Sequence, residues 1–273
     1  MTDAAQPFRA RTIAEGFGAD AEAYDRFRPH YPAPLAEVVL DGLPTAPRTV
    51  DVGIGTGLSA LPFRDAGCRV LGVEVDERMA EVARRRGFDV EIARFEEWDA
   101  AGRVFDLVIA GQSWHWVDPV AGAAKARDVL SPGGRMAVFW NAGDPTPEIA
   151  AGFAEAYRSV DTGLPFTPWA SPQREGYRAM LQTAADGIHS SDGFDEPEWF
   201  RVDWQAEITR DEWLAQVPTG GGHNRIAPEK LDELLRAIGA VVDRAGGRFT
   251  MEYATLGVLA RRREADRDDR QGR

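Results

Sequence analysis

The sequence has few of the groups on which many protein functions depend. It contains one cysteine and four histidines in 273 residues. A single cysteine excludes an internal disulfide, and no His/Cys cluster has the spacing of a metal site. No stretch offers the roughly 20 apolar residues of a membrane span, and the start, MTDAAQPFRA, lacks the apolar centre of a signal peptide. These absences predict a cytoplasmic protein without a metal.

Positive charge is also scarce. The chain has 32 Lys and Arg against 44 Asp and Glu, which gives a net charge of -12. An acidic surface repels phosphate backbones and anionic lipids, so we expect neither nucleic acid nor membrane as a partner. The hydrophobic content of 44% is enough for one large core. A small molecule is the partner that remains, and the composition gives no oligomeric state.

Strands and helices alternate through the first half of the chain. Helices are predicted over 33–42, after Asp76 and after Asp118-Pro119. Strands are predicted around VDV at 50–52 and over 69–74, 88–92, 105–110 and 135–140. Strands that alternate with helices of this length predict an α/β fold, a doubly wound, mostly parallel sheet with helices on both faces.

The pattern changes after residue 140. Helical pieces at 148–157 and 174–184 lie between Pro- and Gly-rich loops. We interpret residues 141–199 as a helical cap inserted over the carboxyl edge of the sheet, where ligands of open α/β sheets bind. A strand-like stretch, a helix over 228–244 and a last strand over 250–260 follow. We predict one domain over 17–262, a flexible arm at 1–16 and a disordered tail at 263–273.

The stretch VDVGIGTGL at 50–58 predicts a buried strand that enters a glycine turn. A phosphate loop of the Walker type would need Gly-Lys-Ser/Thr, and no lysine is present. A dinucleotide fingerprint would need a third small residue where Leu58 stands. The remaining interpretation is a nucleoside ligand without a pyrophosphate, such as S-adenosylmethionine, whose close approach the glycines allow.

The next strand ends in Glu74, which supports this interpretation. A carboxylate at that position can accept hydrogen bonds from both hydroxyls of a ribose. A solvated strand end is the simpler alternative for Glu74. The glycine turn and the acidic strand end together favour an adenosine ligand.

An ordered set of motifs resembles the class I S-adenosylmethionine-dependent methyltransferases. VDVGIGTG resembles the first motif of that family, GVEVDERM the second and IARFEEW the adenine loop. FDLVIAGQSWHWVDP and LSPGGRMAVFWN resemble its fourth and fifth strands. The opening FGADAEAYDRFRPHYP is similar to small-molecule methyltransferases of the trans-aconitate methyltransferase-like subgroup. The resemblance implies a seven-stranded sheet with an antiparallel last strand and S-adenosyl-L-methionine as cofactor.

The resemblance also implies roles for individual residues. Glu74 would hold the ribose, and the backbone at Phe95 would meet the adenine. Glu96 or a main-chain carbonyl would accept from the adenine amino group, because Arg94 can only donate. Four residues of the turn and one beyond strand four would lie along the methionine end of the cofactor: Asp51, Gly53, Gly55, Gly57 and Gln112.

Methyl transfer from a sulfonium mainly requires alignment, and it requires a base only where the acceptor must lose a proton. His115, between two tryptophans, is the candidate base, although packing is the interpretation we favour. Arg28 is a candidate partner for the methionine carboxylate, with a surface ion pair as the alternative. His189 and His223 are expected in solvated loops. Aromatic residues expected at the cofactor or in the acceptor pocket are Tyr24, Tyr31, Trp114 and Trp116.

The expected function is therefore transfer of a methyl group from S-adenosylmethionine to an oxygen, nitrogen or carbon of a small molecule. A nicotinamide-dependent oxidoreductase and a non-catalytic nucleoside-binding regulator stay open as alternatives. The cap has only three basic residues, Arg158, Arg174 and Arg178. This favours a neutral or aromatic acceptor over a tricarboxylate.

Overall fold

The computed structural model describes Gly18 and residues 20–264. Seven strands form one sheet in the order β3-β2-β1-β4-β5-β7-β6. Neighbouring strands from β3 to β5 are parallel, and β7 is antiparallel to both β5 and β6. The strands are β1 Arg48–Val52, β2 Arg69–Glu74, β3 Asp89–Ile92, β4 Phe105–Gly111, β5 Leu130–Pro145, β6 Glu198–Thr209 and β7 Arg248–Arg261. The expected α/β class, with a mostly parallel seven-stranded sheet and an antiparallel last strand, is confirmed.

Nine α-helices accompany the sheet in the described part of the chain. They are α1 Ala21–Phe27, α2 Pro34–Leu40, α3 Leu61–Asp65, α4 Glu77–Arg85, α5 Pro119–Val129, α6 Pro147–Ser159, α7 Gln173–Ser190, α8 Arg210–Gln216 and α9 Pro228–Arg244. The local sequence explains where several begin. The Asp76 carboxylate accepts from the Arg78 amide at the start of α4, and Asp118 caps α5 in the same way.

Helices cover both faces of the sheet. On one face α2 and α3 bury Leu35, Val39 and Phe63 against β4 and β5. On the other face α5 and α7 pack on each other and on the sheet. The strand order reverses between β1 and β4, so a crevice opens at their carboxyl ends.

The fifth strand is longer than the sequence predicts. We expected it to end at Trp140, but β5 continues to Pro145, paired with Met251–Thr255 of β7. Asn141 and Ala142 are buried in this extension. The expectation of a cap that begins at residue 141 is therefore wrong at its start, because the antiparallel partner β7 holds these residues in the sheet.

The remainder of the expected cap divides between two cores. α7 presents an apolar stripe, Leu181, Ala184, Ala185 and Ile188, to the sheet face. It is therefore a sheet-covering helix and does not form part of a lid. α6 instead joins α8, α9 and the far ends of β6 and β7 in a second hydrophobic cluster. The loop over 160–172 remains between these two helices, close to the crevice.

Both chain ends extend beyond the described residues. The arm predicted at 1–16 lies outside them, as does most of the tail predicted at 263–273. Arg263 is described, and it donates hydrogen bonds to the carbonyls of Gly193 and Phe194. The ordered chain therefore runs slightly past the predicted boundary at 262. Among the residues described, no helix is long and apolar enough to cross a membrane.

Candidate functional site

A cavity of about 840 Å³ lies at the carboxyl ends of β1, β2, β4 and β5. Its walls come from the glycine turn, from α1, from the segment after β4 and from the loops at 160–172 and 216–225. This volume is large enough for a nucleoside cofactor together with a second small molecule. The lining is mainly apolar and aromatic.

The three glycines of the turn serve different purposes. All have positive φ, at 65° for Gly53, 57° for Gly55 and 93° for Gly57, a region that glycine enters without strain. A Cβ at Gly53 would lie 2.6 Å from the Ser113 Cβ, and a Cβ at Gly57 would lie 2.8 Å from the Phe88 ring. Gly57 thus packs the turn onto α4 and β3, away from the cavity. We correct its expected cofactor contact accordingly.

Gly55 lies at the cavity wall, and Glu74 holds it there. The Gly55 amide donates to Glu74 Oε2 at 2.8 Å, while Glu74 Oε1 accepts from the amides of Val75 and Asp76 at 2.8 and 3.0 Å. Burial raises the pKa of Glu74, and these three hydrogen bonds oppose the rise. The carboxylate therefore joins the glycine turn to the end of β2, and it lines the cavity with Oε2 accepting only one of these hydrogen bonds.

Asp51 lies beneath the turn and is fully buried. Its Oδ2 accepts from the Ser59 hydroxyl at 2.7 Å, whereas its Oδ1 has no partner among the described residues. Burial raises the pKa of Asp51 to about 8. The Tyr31 hydroxyl, expected in the acceptor pocket, is likewise buried without a partner and stacks its ring edge on Phe139. Tyr31 lines the cavity but Asp51 does not. The expected contact between Asp51 and the methionine end of the cofactor is therefore corrected, and the free Tyr31 hydroxyl marks a place for a polar ligand atom or water.

The adenine end is built as expected in part. Phe95 and Glu96 line the cavity together with Arg94, and Glu96 Oε1 accepts from the Asp118 amide at 3.0 Å. The Phe95 ring points into the core, 6.3 Å from the Trp114 ring. Trp114 is only 2% exposed and does not line the cavity. Its expected place in the acceptor pocket is therefore wrong, because the turn after β4 directs it inwards.

Gln112 stands at the end of β4 in a left-handed conformation, with φ at 59°. Its side-chain amide donates to the Asn141 carbonyl at 3.2 Å, and it also hydrogen-bonds Tyr177. A left-handed conformation costs energy in a residue with a side chain and is concentrated at functional sites. Gln112 thus lines the cavity, held by β5, and its expected place near the methionine amino group stays a prediction.

His115 and Trp116 face the cavity from the same short turn. The Trp140 indole N–H donates to His115 Nδ1 at 3.2 Å. Burial lowers the pKa of His115 to about 4. Because an indole can only donate, this bond places the single imidazole proton on Nε2. His115 is therefore a neutral ring that presents an N–H group.

Tyr24 and Arg28 both line the cavity from α1 and the residue after it. The Arg28 guanidinium lies 5.0 Å from the centre of the Tyr24 ring and donates from Nη2 to the Thr219 carbonyl at 2.7 Å. Its Nε is buried with no partner in the described chain. Arg28 is thus a partly buried cation with a free donor, and the alternative of a surface ion pair has no support here.

Several cavity residues escaped the sequence analysis. His223, expected in a solvated loop, is 7% exposed, and its Nε2 lies 2.7 Å from the Tyr157 hydroxyl. Tyr177 and Tyr253 also line the cavity. The run Gly220-Gly221-Gly222 before His223 was the one available signal, since a glycine run allows close packing. His189 is exposed, as expected, but it lies in the last turn of α7 and not in a loop, beside Glu196.

The described residues contain no group of three or more His, Cys, Asp or Glu side chains able to hold a metal ion. Five charged side chains line the cavity among the described residues, and two of them are Arg94, beside Glu96, and Arg225 of the 216–225 loop. The carboxylates Glu74 and Glu96 lie near the turn and the adenine loop, and the guanidinium of Arg28 lies near Thr219. The three basic residues of the expected cap do not line it.

Comparison with known proteins agrees with this geometry. Residues 50–138 match the family described as methyltransferase domain. An uncharacterized methyltransferase of Mycobacterium tuberculosis is 33% identical over 137 residues, 49% of this chain and 55% of the relative. Malonyl-[acyl-carrier protein] O-methyltransferase of Enterobacter lignolyticus is 30% identical over 154 residues, 52% of this chain and 60% of the relative. The chain spans about half the length of the curated relatives it matches.

Solved structures share the fold. A proposed type II methyltransferase of Anaeromyxobacter dehalogenans has a TM-score of 0.61 at 21% identity, covering 88% of this chain and 100% of that one. Phosphoethanolamine N-methyltransferase 2 of Haemonchus contortus, solved with S-adenosylhomocysteine, has a TM-score of 0.50 at 14% identity and covers 96% and 60%. The family match at residues 50–138 and the shared fold agree with the resemblance seen in the sequence: over this part the chain is similar to methyltransferases, and its fold is that of the class I methyltransferases.

Proposed function

We propose that the protein transfers a methyl group from S-adenosylmethionine to a small-molecule acceptor. The observation that carries the proposal is the hydrogen bond between the Gly55 amide and Glu74, at the mouth of a cavity with room for two ligands. This hydrogen bond places Gly55, which lets the protein backbone approach a ligand closely, next to a carboxylate that can hold a ribose. No other pair of cavity residues combines these properties among those described.

The cofactor fits the polar groups along the cavity. Glu74 accepts from the ribose, and the main chain at Phe95 with Glu96 meets the adenine. Gln112 and the free Nε of Arg28 lie where an amino acid end would need them, since a guanidinium binds a carboxylate well. Gly53 and Asp51 support this end of the site from below. When bound, the cofactor supplies an activated methyl group.

The aromatic rings of the cavity wall are suited to bind the sulfonium group of the cofactor. Tyr24, Tyr31 and Trp116 belong to the cavity wall, and ring faces attract a cation that is held away from water. His115 adds an N–H donor to this wall. It is poorly suited to be a general base, because taking up a proton on Nδ1 would break its hydrogen bond from Trp140. We propose that His115 orients the acceptor, as its packing suggests.

The acceptor is a largely apolar small molecule. Leu164, Phe166, Trp169, Met180 and Trp213 line the cavity together with the polar Tyr157 and His223, and this wall suits an aromatic compound with a polar group. The net charge of -12 disfavours nucleic acid. The single, buried Cys68 suits a reducing compartment, so we place the reaction in the cytoplasm.

A labelled-methyl screen tests the proposal. The protein is incubated with S-adenosylmethionine carrying an isotopic methyl group and with a cell metabolite extract, and the products are analysed by mass spectrometry. We expect a small molecule that gains one labelled methyl group. Binding of S-adenosylhomocysteine without any methylated product would instead support a non-catalytic nucleoside-binding regulator.

A further inference from the structure

A buried tyrosine and histidine form a pair in the acceptor half of the cavity. Tyr157 of α6 and His223 of the 216–225 loop place the hydroxyl oxygen 2.7 Å from Nε2, and their rings meet edge to face. Both line the cavity, and both are less than 10% exposed. Neither side chain is required to build the cofactor half of the site.

The surroundings of His223 determine which nitrogen carries its proton. The carbonyls of Gly220 and Gly221 lie beside the ring and can only accept, so they favour a proton on Nδ1. A Cβ at Gly220 would lie 2.8 Å from Nδ1, which explains why glycine is needed there. Nδ1 makes no well-formed hydrogen bond among the described residues. In the tautomer that these carbonyls favour, Nε2 would accept from the Tyr157 hydroxyl, 2.7 Å away.

The neighbouring charges keep both groups neutral before a reaction. Burial lowers the pKa of His223, and the Arg28 guanidinium lowers it further, while the two glycine carbonyls raise it. Burial raises the pKa of Tyr157 well above its usual value. Tyr253 of β7 faces the same space, and burial raises its pKa to about 12. The Tyr157 oxygen thus lies 2.7 Å from Nε2 of a neutral histidine, the nitrogen to which a proton could pass in the reaction.

We propose that the acceptor is a phenol or a similarly acidic hydroxyl compound, and that Tyr157 and His223 receive its proton. This proposal rests on the proposed function. As the acceptor oxygen forms a bond to the methyl carbon, the bond from that carbon to sulfur breaks. The hydroxyl proton of the acceptor passes to the Tyr157 oxygen, and the proton of Tyr157 passes to His223 Nε2. The products are a methyl ether, S-adenosylhomocysteine and an imidazolium at His223.

Other cavity groups fit this assignment. The Arg28 guanidinium, which acts on His223, Tyr177 and Tyr253 through space, favours an oxygen that becomes negative. The aromatic wall from Trp169 and Trp213 accommodates a planar ring. His115 cannot replace the pair, because its Nδ1 is occupied by Trp140.

The test uses 4-nitrophenol, whose absorbance reports whether it is ionised, bound to the full chain saturated with S-adenosylhomocysteine. The pKa of the bound probe is read from its absorbance across a pH series. In the wild type we expect it to fall by about one unit or more below that of the free phenol. His223→Asn and Tyr157→Phe should each lose at least about half of that fall. His189→Asn, a matched change at an exposed histidine, should keep the wild-type value.

Calorimetric affinity for S-adenosylhomocysteine, measured on every variant, separates this proposal from the proposed function. Intact cofactor affinity with an unchanged probe pKa in both variants would overturn the Tyr157–His223 assignment alone. Failure of 4-nitrophenol to bind the cofactor-saturated wild type would overturn the phenol class. Loss of S-adenosylhomocysteine binding in the wild type would overturn the proposed function and this proposal with it. Tyr157→Phe removes a single oxygen and keeps the test decisive if His223→Asn does not fold.

Discussion

At the residue scale, Glu74 connects two parts of the site. Its carboxylate holds the amides of Gly55, Val75 and Asp76, and in the proposed complex it also accepts from the ribose. Each hydrogen bond to a charged group contributes about 1.5–3 kcal/mol. We expect Glu74→Ala to weaken S-adenosylhomocysteine binding at least about tenfold, as measured by calorimetry.

The control for this prediction is Glu77→Ala. Glu77 lies nearby at the start of α4, is exposed and pairs with Arg84. Its removal should leave the affinity unchanged. Because Glu74 also accepts from three backbone amides, the ligand-free melting temperature of Glu74→Ala should fall as well. An unchanged dissociation constant in a folded Glu74→Ala protein would remove Glu74 from the cofactor site.

His115 gives a prediction that depends on pH. Its pKa is lowered from 6.5 to about 4 in the folded protein, so the unfolded chain binds this proton first as the pH falls. The contribution of neutral His115 to the free energy of unfolding is complete above pH 6.5 and is lost as the pH falls towards about 4. Urea unfolding at several pH values should show a shallower loss of unfolding free energy across this window in His115→Asn.

Turnover separates packing from base catalysis at His115. Asparagine can still accept from the Trp140 indole and present an N–H group, so we expect His115→Asn to retain most activity. A general base would instead lose about 10²–10⁴ in turnover number. A loss of that size with both affinities intact, or pH profiles of stability identical to the wild type, would contradict the account.

At the element scale, the glycine turn offers a matched pair of substitutions. Gly55 and Gly67 both have positive φ, at 57° and 93°, so alanine costs each position roughly 1–2 kcal/mol of backbone strain. A Cβ at Gly55 would have ordinary contact with Met79 at 3.5 Å, and a Cβ at Gly67 would meet nothing within 4 Å. Both alanine variants should therefore fold.

Only the Gly55 variant should affect the cofactor. Gly55→Ala places a methyl group at the cavity wall and should reduce S-adenosylhomocysteine affinity, and the larger Gly55→Val should abolish binding. Gly67→Ala should bind like the wild type with a similar loss of melting temperature. Equal affinities in the Gly55 and Gly67 variants would show that the turn does not hold the ligand.

The elements with strong local signals were predictable from the sequence. Asp76 and Asp118 mark the starts of α4 and α5, and Glu74 ends β2 as expected. The length of β5 was not predictable, because pairing with β7, more than a hundred residues later, extends it to Pro145. A glycine turn that is followed along the chain by an acidic strand end thus predicts which residues form the cofactor half of the site.

The acceptor half depends on tertiary packing. Trp114 and Trp116 are two residues apart in one short turn, yet only Trp116 faces the cavity. His223 reads as a loop residue, and its burial follows from α6, which brings Tyr157 against it. Hydrophobic periodicity and composition do not predict such tertiary contacts, and for this reason the positions expected for Trp114 and His223 are wrong.

At the scale of the whole molecule, the cavity lies between two hydrophobic cores. The sheet with α2 to α5 and α7 forms one side, and α6, α8, α9 and the ends of β6 and β7 form the other. Arg28 bridges them through the Thr219 carbonyl. The first side carries the groups expected to hold the cofactor, and the second carries the aromatic wall.

The central claim is that this cavity holds an S-adenosyl nucleoside and not a dinucleotide. Isothermal titration calorimetry with S-adenosylhomocysteine, and separately with NADH, tests it on the wild-type chain. We predict one S-adenosylhomocysteine bound per chain with micromolar or tighter affinity, and no measurable heat from NADH, because Leu58 occupies the position of the third small residue that a dinucleotide turn requires. Binding of NADH with no binding of S-adenosylhomocysteine would contradict the account.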